Sequence, residues 1–239
     1  MASAIVMAGG GGTRTEQFVP KQFLTVNDIP VIVYTMMMVQ KNENISDIIV
    51  VSPQGWESFI YSYAQQFGIS KLKSVVAGGE TRTASIYNGL CAVKENGEDP
   101  KVLLVDANRP LIPQSVIDEV ISLVDCCDCS GGMVPCYDSM FVSRDGETAT
   151  DVVNRAELYR EVGPECGHLS TLLEIYALAD ISKSVDTSTA GLAIQCGKKV
   201  RMAKGHIKCF KITTADDFEL FKAFLAAEPL ANITRRDAQ

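Results

Sequence analysis

A short apolar run that ends directly in four glycines does most to constrain this chain. Residues 3–8 carry Ile5, Val6 and Met7 without a charge, and Gly9-Gly10-Gly11-Gly12 follows at once. An uncharged run of that length suits a strand buried on both faces, as in parallel sheets. Glycines there let backbone N–H groups approach an anion closely. The pattern returns downstream, where residues 45–52, 73–77 (before Gly78-Gly79) and 102–105 (ending at Asp106) read as strands. Residues 30–39, 56–67, 83–93 and 113–124, lying between or after these strands, have helical length and spacing. Such alternation predicts an α/β fold: a Rossmann-like, doubly wound, mostly parallel sheet whose ligands sit beyond the carboxyl ends of the strands.

After residue 133 the rhythm changes. Residues 133–136 read as a strand that 137–143 extends, Arg144-Asp145-Gly146-Glu147 as a turn, and 148–154 as a returning strand. This hairpin, at about 136–154, is expected to project as a β-arm. Residues 169–179 then read as helix, 199–204 as strand, and 215–227 as a last helix capped near Thr214. With no internal repeat and no low-complexity linker, the 239 residues are expected to form a single domain, 1–239, with the arm attached.

Charge and composition narrow the partners. The formal net charge of −7 argues against nucleic acid, yet a few basic side chains in one cleft still hold a small anion. No apolar run approaches the ~20 residues of a membrane span, and the N-terminus has no basic region before its apolar run. The expectation is therefore a cytoplasmic protein without a signal peptide or a membrane partner. Its eight cysteines are then reduced thiols. Cys126 and Cys129 have CxxC spacing, but no second pair follows, so that cluster is expected at the end of a helix packed on the sheet.

Four motifs carry the chemistry. The first is Ala8-Gly9-Gly10-Gly11-Gly12-Thr13-Arg14 with Pro20-Lys21-Gln22-Phe23-Leu24, where Arg14 and Lys21 add fixed positive charge beside a phosphate-sized backbone cradle. It is neither GxxxxGK[ST] nor GxGxxG. In the second, Gly78-Gly79-Glu80-Thr81-Arg82-Thr83-Ala84-Ser85, Gly79 gives backbone access while Arg82 and Ser85 reach toward base, ribose or phosphate; the plainer reading is a helix start capped by Thr83. In the third, Val105-Asp106-Ala107-Asn108-Arg109-Pro110, Asp106 is placed to hold Mg²⁺ beside phosphate, or simply pairs with Arg109. The fourth is Lys211 before Ile212-Thr213-Thr214, a cation at a helix entry or an ordinary exposed lysine.

Taken in this order, these residues resemble the cytidylyltransferase family that makes CDP-methylerythritol and CDP-ribitol, over nearly the whole chain. The resemblance implies CTP as co-substrate, Mg²⁺ as cofactor, and a homodimer formed through swapped β-arms. It implies catalytic roles for Arg14, Lys21 and Lys211 around the triphosphate. Ala8, Gly9, Gly10, Gly11, Gly79, Arg82, Ser85 and Asp106 would bind nucleotide, with Asp106 also at the metal. Ala107, Arg109, Ser139 and Arg155 would hold the acceptor phosphate, with Ser139 and Arg155 reaching a partner's cleft.

Residues 20–24 and Ser52-Pro53-Gln54-Gly55-Trp56 look more like the ribitol-phosphate branch, which implies cytidylyl transfer from CTP to an alditol phosphate. The 2-C-methyl-D-erythritol 4-phosphate enzyme is the alternative, and a catalytically inactive nucleotide-binding regulator is the alternative of another class. The chain departs from the family at Val105, at Asn108, and at Glu161-Val162-Gly163-Pro164-Glu165-Cys166, where Gln-Thr-Pro-Gln is usual. The usual Thr-Asp pair survives only as Asp186-Thr187.

Overall fold

In the computed structural model, residues 1–9, 19–93, 99–179 and 188–227 are described. Gly10, Gly11, Arg14 and the Asp186-Thr187 pair lie outside the described residues. In chain order the elements are β1 (Ala2–Met7), β2 (Thr25–Val26), β3 (Ile29–Pro30), α1 (Val31–Gln40), β4 (Ile45–Ser52), α2 (Glu57–Gln66), β5 (Leu72–Ala77) and α3 (Arg82–Ala92). There follow β6 (Lys101–Asp106), α4 (Gln114–Leu123), β7 (Cys129–Pro135), β8 (Met140–Val142), β9 (Asp151–Val153), β10 (Tyr159–His168), α5 (Leu169–Leu178), α6 (Thr189–Gln195), β11 (Val200–Lys204) and α7 (Ala215–Ala227).

Among the described residues, seven strands form one sheet in the order β11-β7-β10-β6-β1-β4-β5. β1 pairs in parallel with β4 and β6, and β4 with β5, as the strand–helix alternation predicts. The first strands are apolar on both sides because both faces are covered. On one face Val6, Val50, Leu103 and Val105 meet Ile32, Met36, Ile117 and Val120 of α1 and α4. On the other, Ile5, Ile49 and Leu104 meet Ile86, Leu90, Leu172 and Leu192 of α3, α5 and α6. Each such side chain, fully buried, contributes about 1.5–3 kcal/mol. Helix α7 closes one end through Phe221 and Leu225, with the Phe221 ring edge-on to Tyr34 at 5.2 Å.

Four elements depart from the sequence reading: β10, α6 and the short strands β2 and β3, the last of which takes Pro30 from the start of the expected helix. β10 lies between β6 and β7, antiparallel to both, although its Glu161, Gly163, Pro164 and Glu165 look like loop residues. The strand is broken where they fall. Pairing passes from Glu161–Met133 to Glu165–Gly131, so Val162, Gly163 and Pro164 stand opposite Gly132 alone. A bulge of this kind ends regular pairing and re-aims side chains, which is why a proline is tolerated inside a sheet. α6 is the second missed element, too short to show a helical period in sequence.

The bulge demands a glycine on the neighbouring strand. A Cβ at Gly132 would lie 2.5 Å from the Gly163 carbonyl oxygen. We expect Gly132→Ala to destabilise the fold by about 2 kcal/mol or more in chemical denaturation, since the clash is with backbone rather than a flexible side-chain end. An unchanged midpoint would contradict this packing.

The predicted arm is present. β8 and β9 pair antiparallel, Met140 with Val153 and Val142 with Asp151, as a separate two-stranded sheet. Strand β7 starts at Cys129, earlier than residue 133, because Ser130 and its glycines pair with β10. The cysteine cluster sits at the end of α4, where the Cys127 thiol donates to the Leu123 carbonyl, and all eight cysteines are free thiols.

Candidate active site

The carboxyl ends of β1, β5 and β6 converge on one cleft. Its floor is a close approach of backbones: a Cβ on Gly78 would stand 3.3 Å from Gly9 Cα, and one on Gly9 3.1 Å from Ser85 Oγ. The Ser85 hydroxyl accepts from Gly79 N at 3.0 Å and donates to the Thr81 carbonyl at 2.9 Å, so it knits the loop over α3. The cap of α3 is Thr81, whose hydroxyl accepts from Ala84 N, rather than the expected Thr83. The helix therefore starts at Arg82, which stands in its first turn and lines the cleft.

Lys21 is set in place by its neighbours. Gln22, buried, donates through Nε2 to the Ala8 carbonyl at 2.6 Å. Phe23 stacks on Trp56 with ring centroids 4.0 Å apart. The short helical turn Lys21–Phe23 is thus pinned to β1 and to the start of α2, with Lys21 lining the cleft.

Asp106 and Lys211 meet through a second clamp. Ala107 N donates to the Met7 carbonyl, and the Ala107 carbonyl accepts from Thr35 Oγ1. Asn108 Nδ2 donates to the Ile212 carbonyl at 2.6 Å, while Ile212 N donates back to the Asn108 carbonyl. Asn108 therefore fastens the chain around Lys211 to the end of β6. Lys211 Nζ and Arg109 Nε each lie 3.0 Å from Asp106 Oδ2. Burial pushes the Asp106 pKa up, but Lys211, Arg109 and Arg82 outweigh it and hold the carboxyl at about 2. It is an anion at any working pH. Arg109 also donates through Nη1 to the Cys209 carbonyl at 2.6 Å, so its guanidinium is fixed from two sides.

Two adjoining cavities open here. One, of about 240 Å³, is lined by Ala8, Gly9, Lys21, Gly79, Ser85 and Ala107. The other, of about 170 Å³, is lined by Arg109, Glu161, Gly163, Pro164, Glu165 and Ser188. Met7, Arg82, Asp106 and Lys211 line both and form their junction. The first cavity suits an anion chain against backbone amides; the second suits a smaller polar molecule; the cations stand where the two would meet.

The expected residues are thus largely gathered: Ala8, Gly9, Lys21, Gly79, Arg82, Ser85, Asp106, Ala107, Arg109 and Lys211 all line one of the two cavities. Ser139 and Arg155 do not. Both are exposed on the arm, and Arg155 Nη1 donates to the Tyr137 carbonyl at 2.6 Å. Two acids not chosen as site residues join the second cavity. Glu165 is almost fully buried, accepts from Ala190 N at 2.6 Å and lies 3.7 Å from Arg82 Nη2. Burial and the nearby Glu165 charge raise Glu161 to about 7. The signal for both was the altered stretch 161–166, which stood out in the sequence without a strand to place it.

The model of the IspD family, 2-C-methyl-D-erythritol 4-phosphate cytidylyltransferase, matches residues 2–227. The chain belongs to this family. It is 33% identical over 236 residues to the ribitol-5-phosphate cytidylyltransferase of Lacticaseibacillus paracasei, covering 96% of this chain and 100% of that protein. It is 31% identical over 227 residues to the 2-C-methyl-D-erythritol 4-phosphate cytidylyltransferase of Syntrophus aciditrophicus, covering 94% and 96%. In fold it is similar to 4-diphosphocytidyl-2C-methyl-D-erythritol synthase of Anaerococcus prevotii, with a TM-score of 0.80 at 23% identity over 94% of this chain and 96% of that one. The Rossmann-like α/β architecture is therefore that of a cytidylyltransferase-family chain. No helix among the described residues is long and apolar enough to cross a membrane.

Proposed function

We propose that this chain transfers the cytidylyl group of CTP to an alditol phosphate such as ribitol 5-phosphate, releasing pyrophosphate and a CDP-alditol. The junction carries this reading: Arg82, Asp106 and Lys211 stand between a cavity with a backbone cradle and a cavity with polar walls. The 33% identity to a ribitol-5-phosphate enzyme along the whole length supports the choice of acceptor.

In this mechanism a phosphate oxygen of the acceptor attacks the α-phosphorus in line and pyrophosphate leaves. A phosphate monoester has its second pKa near ~6, so the nucleophile is already ionised near neutrality and needs no protein base. Catalysis is then positioning plus charge neutralisation. Lys21, Lys211 and Arg82, with Arg14 from the glycine loop, neutralise the phosphate oxygens; Arg109 holds the acceptor phosphate. Asp106 fits a Mg²⁺ ligand, because such ions take one or two carboxylates together with substrate phosphates, and its Oδ2 alone carries the contacts to Lys211 and Arg109. Bound there, Mg²⁺ would supply further charge neutralisation on the phosphates.

Pyrophosphate release tests this reading, with each of the four nucleoside triphosphates against a set of polyol phosphates. CTP with a pentitol phosphate is expected to lead. Tight CTP binding without release for any acceptor would instead favour an inactive nucleotide-binding regulator.

The wider reading is a single nucleotidyltransferase domain, 1–239, acting in the cytosol, where eight free thiols are expected. It works as a homodimer through the arm. Tyr137, Phe141 and Val152 are 77%, 60% and 73% exposed, an apolar surface suited to a second copy. Ser139 and Arg155 then reach the partner's acceptor phosphate. Phe141→Asp is expected to convert dimer to monomer in light scattering and to cut activity by about tenfold or more, the scale of misplacing part of a site. A wild-type monomer would overturn the arm's role.

A further inference from the structure

The three acids around the second cavity are not equivalent. Asp106 accepts from Lys211 and Arg109. Glu165 is spent on Ala190 N and on Arg82, anchoring the start of α6 and one side of the Arg82 guanidinium. Glu161 lines the same cavity, yet among the described residues no hydrogen bond or ion pair reaches its carboxylate. Its oxygens are not sealed away either, since no buried side-chain oxygen or nitrogen lacks a partner among the described residues. They open into the cavity.

The bulge in β10 creates this opening. Gly163, at φ +62°, carries no side chain between Arg109 and Glu161; a Cβ there would stand 3.4 Å from Arg109 Nε and 3.6 Å from Glu161 Oε1. Arg82 and Lys211 sit at the junction, while Arg109 and Glu161 line the second cavity on either side of Gly163. A phosphate held by the cations leaves the rest of its molecule facing an open carboxylate. Such a group only accepts hydrogen bonds when ionised, through two oxygens, and it repels an anion.

We propose that Glu161 is a specificity-determining residue that accepts hydrogen bonds from hydroxyl groups on the acceptor's carbon chain. The site then takes a phosphate ester whose far end is uncharged and hydroxylated, and turns away one whose far end is anionic. This rests on the proposed cytidylyl transfer to an alditol phosphate. Charge-assisted hydrogen bonds are among the strong ones, and a site built to bond a hydroxyl rejects the analogue lacking it.

The test uses the full chain with CTP and Mg²⁺ at pH 8 and three acceptors: D-ribitol 5-phosphate, its 1-deoxy analogue and D-ribonate 5-phosphate. For the wild type, kcat/KM for ribitol phosphate is expected to exceed that for the ribonate by ~100-fold or more. Glu161→Gln, which keeps the shape and removes the charge, narrows that ratio by ~10-fold or more and leaves the KM for CTP unchanged. Glu161→Ala raises the KM for ribitol phosphate by ~10-fold or more and that for the deoxy analogue by less. A merely structural role would depress all three acceptors and CTP together. An active wild type whose variants keep the same selectivity overturns this inference alone. A wild type that makes no CDP product from any polyol phosphate overturns both it and the function on which it rests.

Discussion

Lys21→Ala is expected to lower turnover by at least ~100-fold, the scale of losing one charged contact in a transition state. The turn that carries Lys21 is held by its neighbours. Gln22 fastens the turn to the Ala8 carbonyl and Phe23 fastens it to Trp56. These two contacts should keep the turn in place when the ammonium group is removed. Steady-state pyrophosphate release would show the loss mainly in kcat, because charge builds on the leaving oxygen only as the bond breaks. Near-normal turnover would mean that Lys21 only borders the site.

Asp106→Asn is expected to act on stability and activity together. Asp106 is nearly buried and sits within 3.0 Å of both Lys211 Nζ and Arg109 Nε. Taking away its charge leaves Arg109, only 11% exposed, against an uncharged amide. Breaking a buried pair from one side costs about 3 kcal/mol, and that loss should appear in chemical denaturation at pH 7. The acid limb checks the same contact. The folded pKa of about 2 lies below the ordinary value of 3.8, so the stabilisation is full above pH 3.8 and is lost as pH falls through 2. The asparagine variant should show a flatter loss of stability there. Turnover should fall by ~100-fold or more, since the same carboxylate orders Lys211 and Arg109 and is the proposed Mg²⁺ ligand. A variant of wild-type stability would contradict the charge cluster.

Much of this was legible in the sequence because short apolar strands that end at a glycine, serine or aspartate announce themselves. β1, β4 and β6 are largely apolar runs, β5 ends just before Gly78-Gly79, and the carboxyl ends of β1, β5 and β6 converge on the cleft. The arm was legible from Arg144-Asp145-Gly146-Glu147, a turn between two short apolar strands. β10 was not, because a central strand that bulges at Gly163-Pro164 and buries Glu165 violates the pattern by which strands are recognised. Its acids are intelligible only beside Arg82 and Arg109, which lie far away in sequence. Asn108 stands out in the sequence only as a departure from the family; in the fold its side chain spans to the Ile212 carbonyl and fastens the chain beside Lys211. Ser85, similarly, spends its hydroxyl on the Gly79 loop. Short-range spacing identifies which residues approach a cleft; only the closed sheet shows which of them are already committed to one another.

At the Arg82–Asp106–Lys211 junction the proposed chemistry joins a cytidylyl group to an alditol phosphate. Its most direct test is the mass of the product formed from CTP and D-ribitol 5-phosphate by the purified chain with Mg²⁺. CDP-ribitol and pyrophosphate are expected in equal amounts, with neither formed by Lys21→Ala above a few per cent of the wild-type rate. Consumption of CTP without a CDP-alditol, or no consumption with any polyol phosphate, would contradict it.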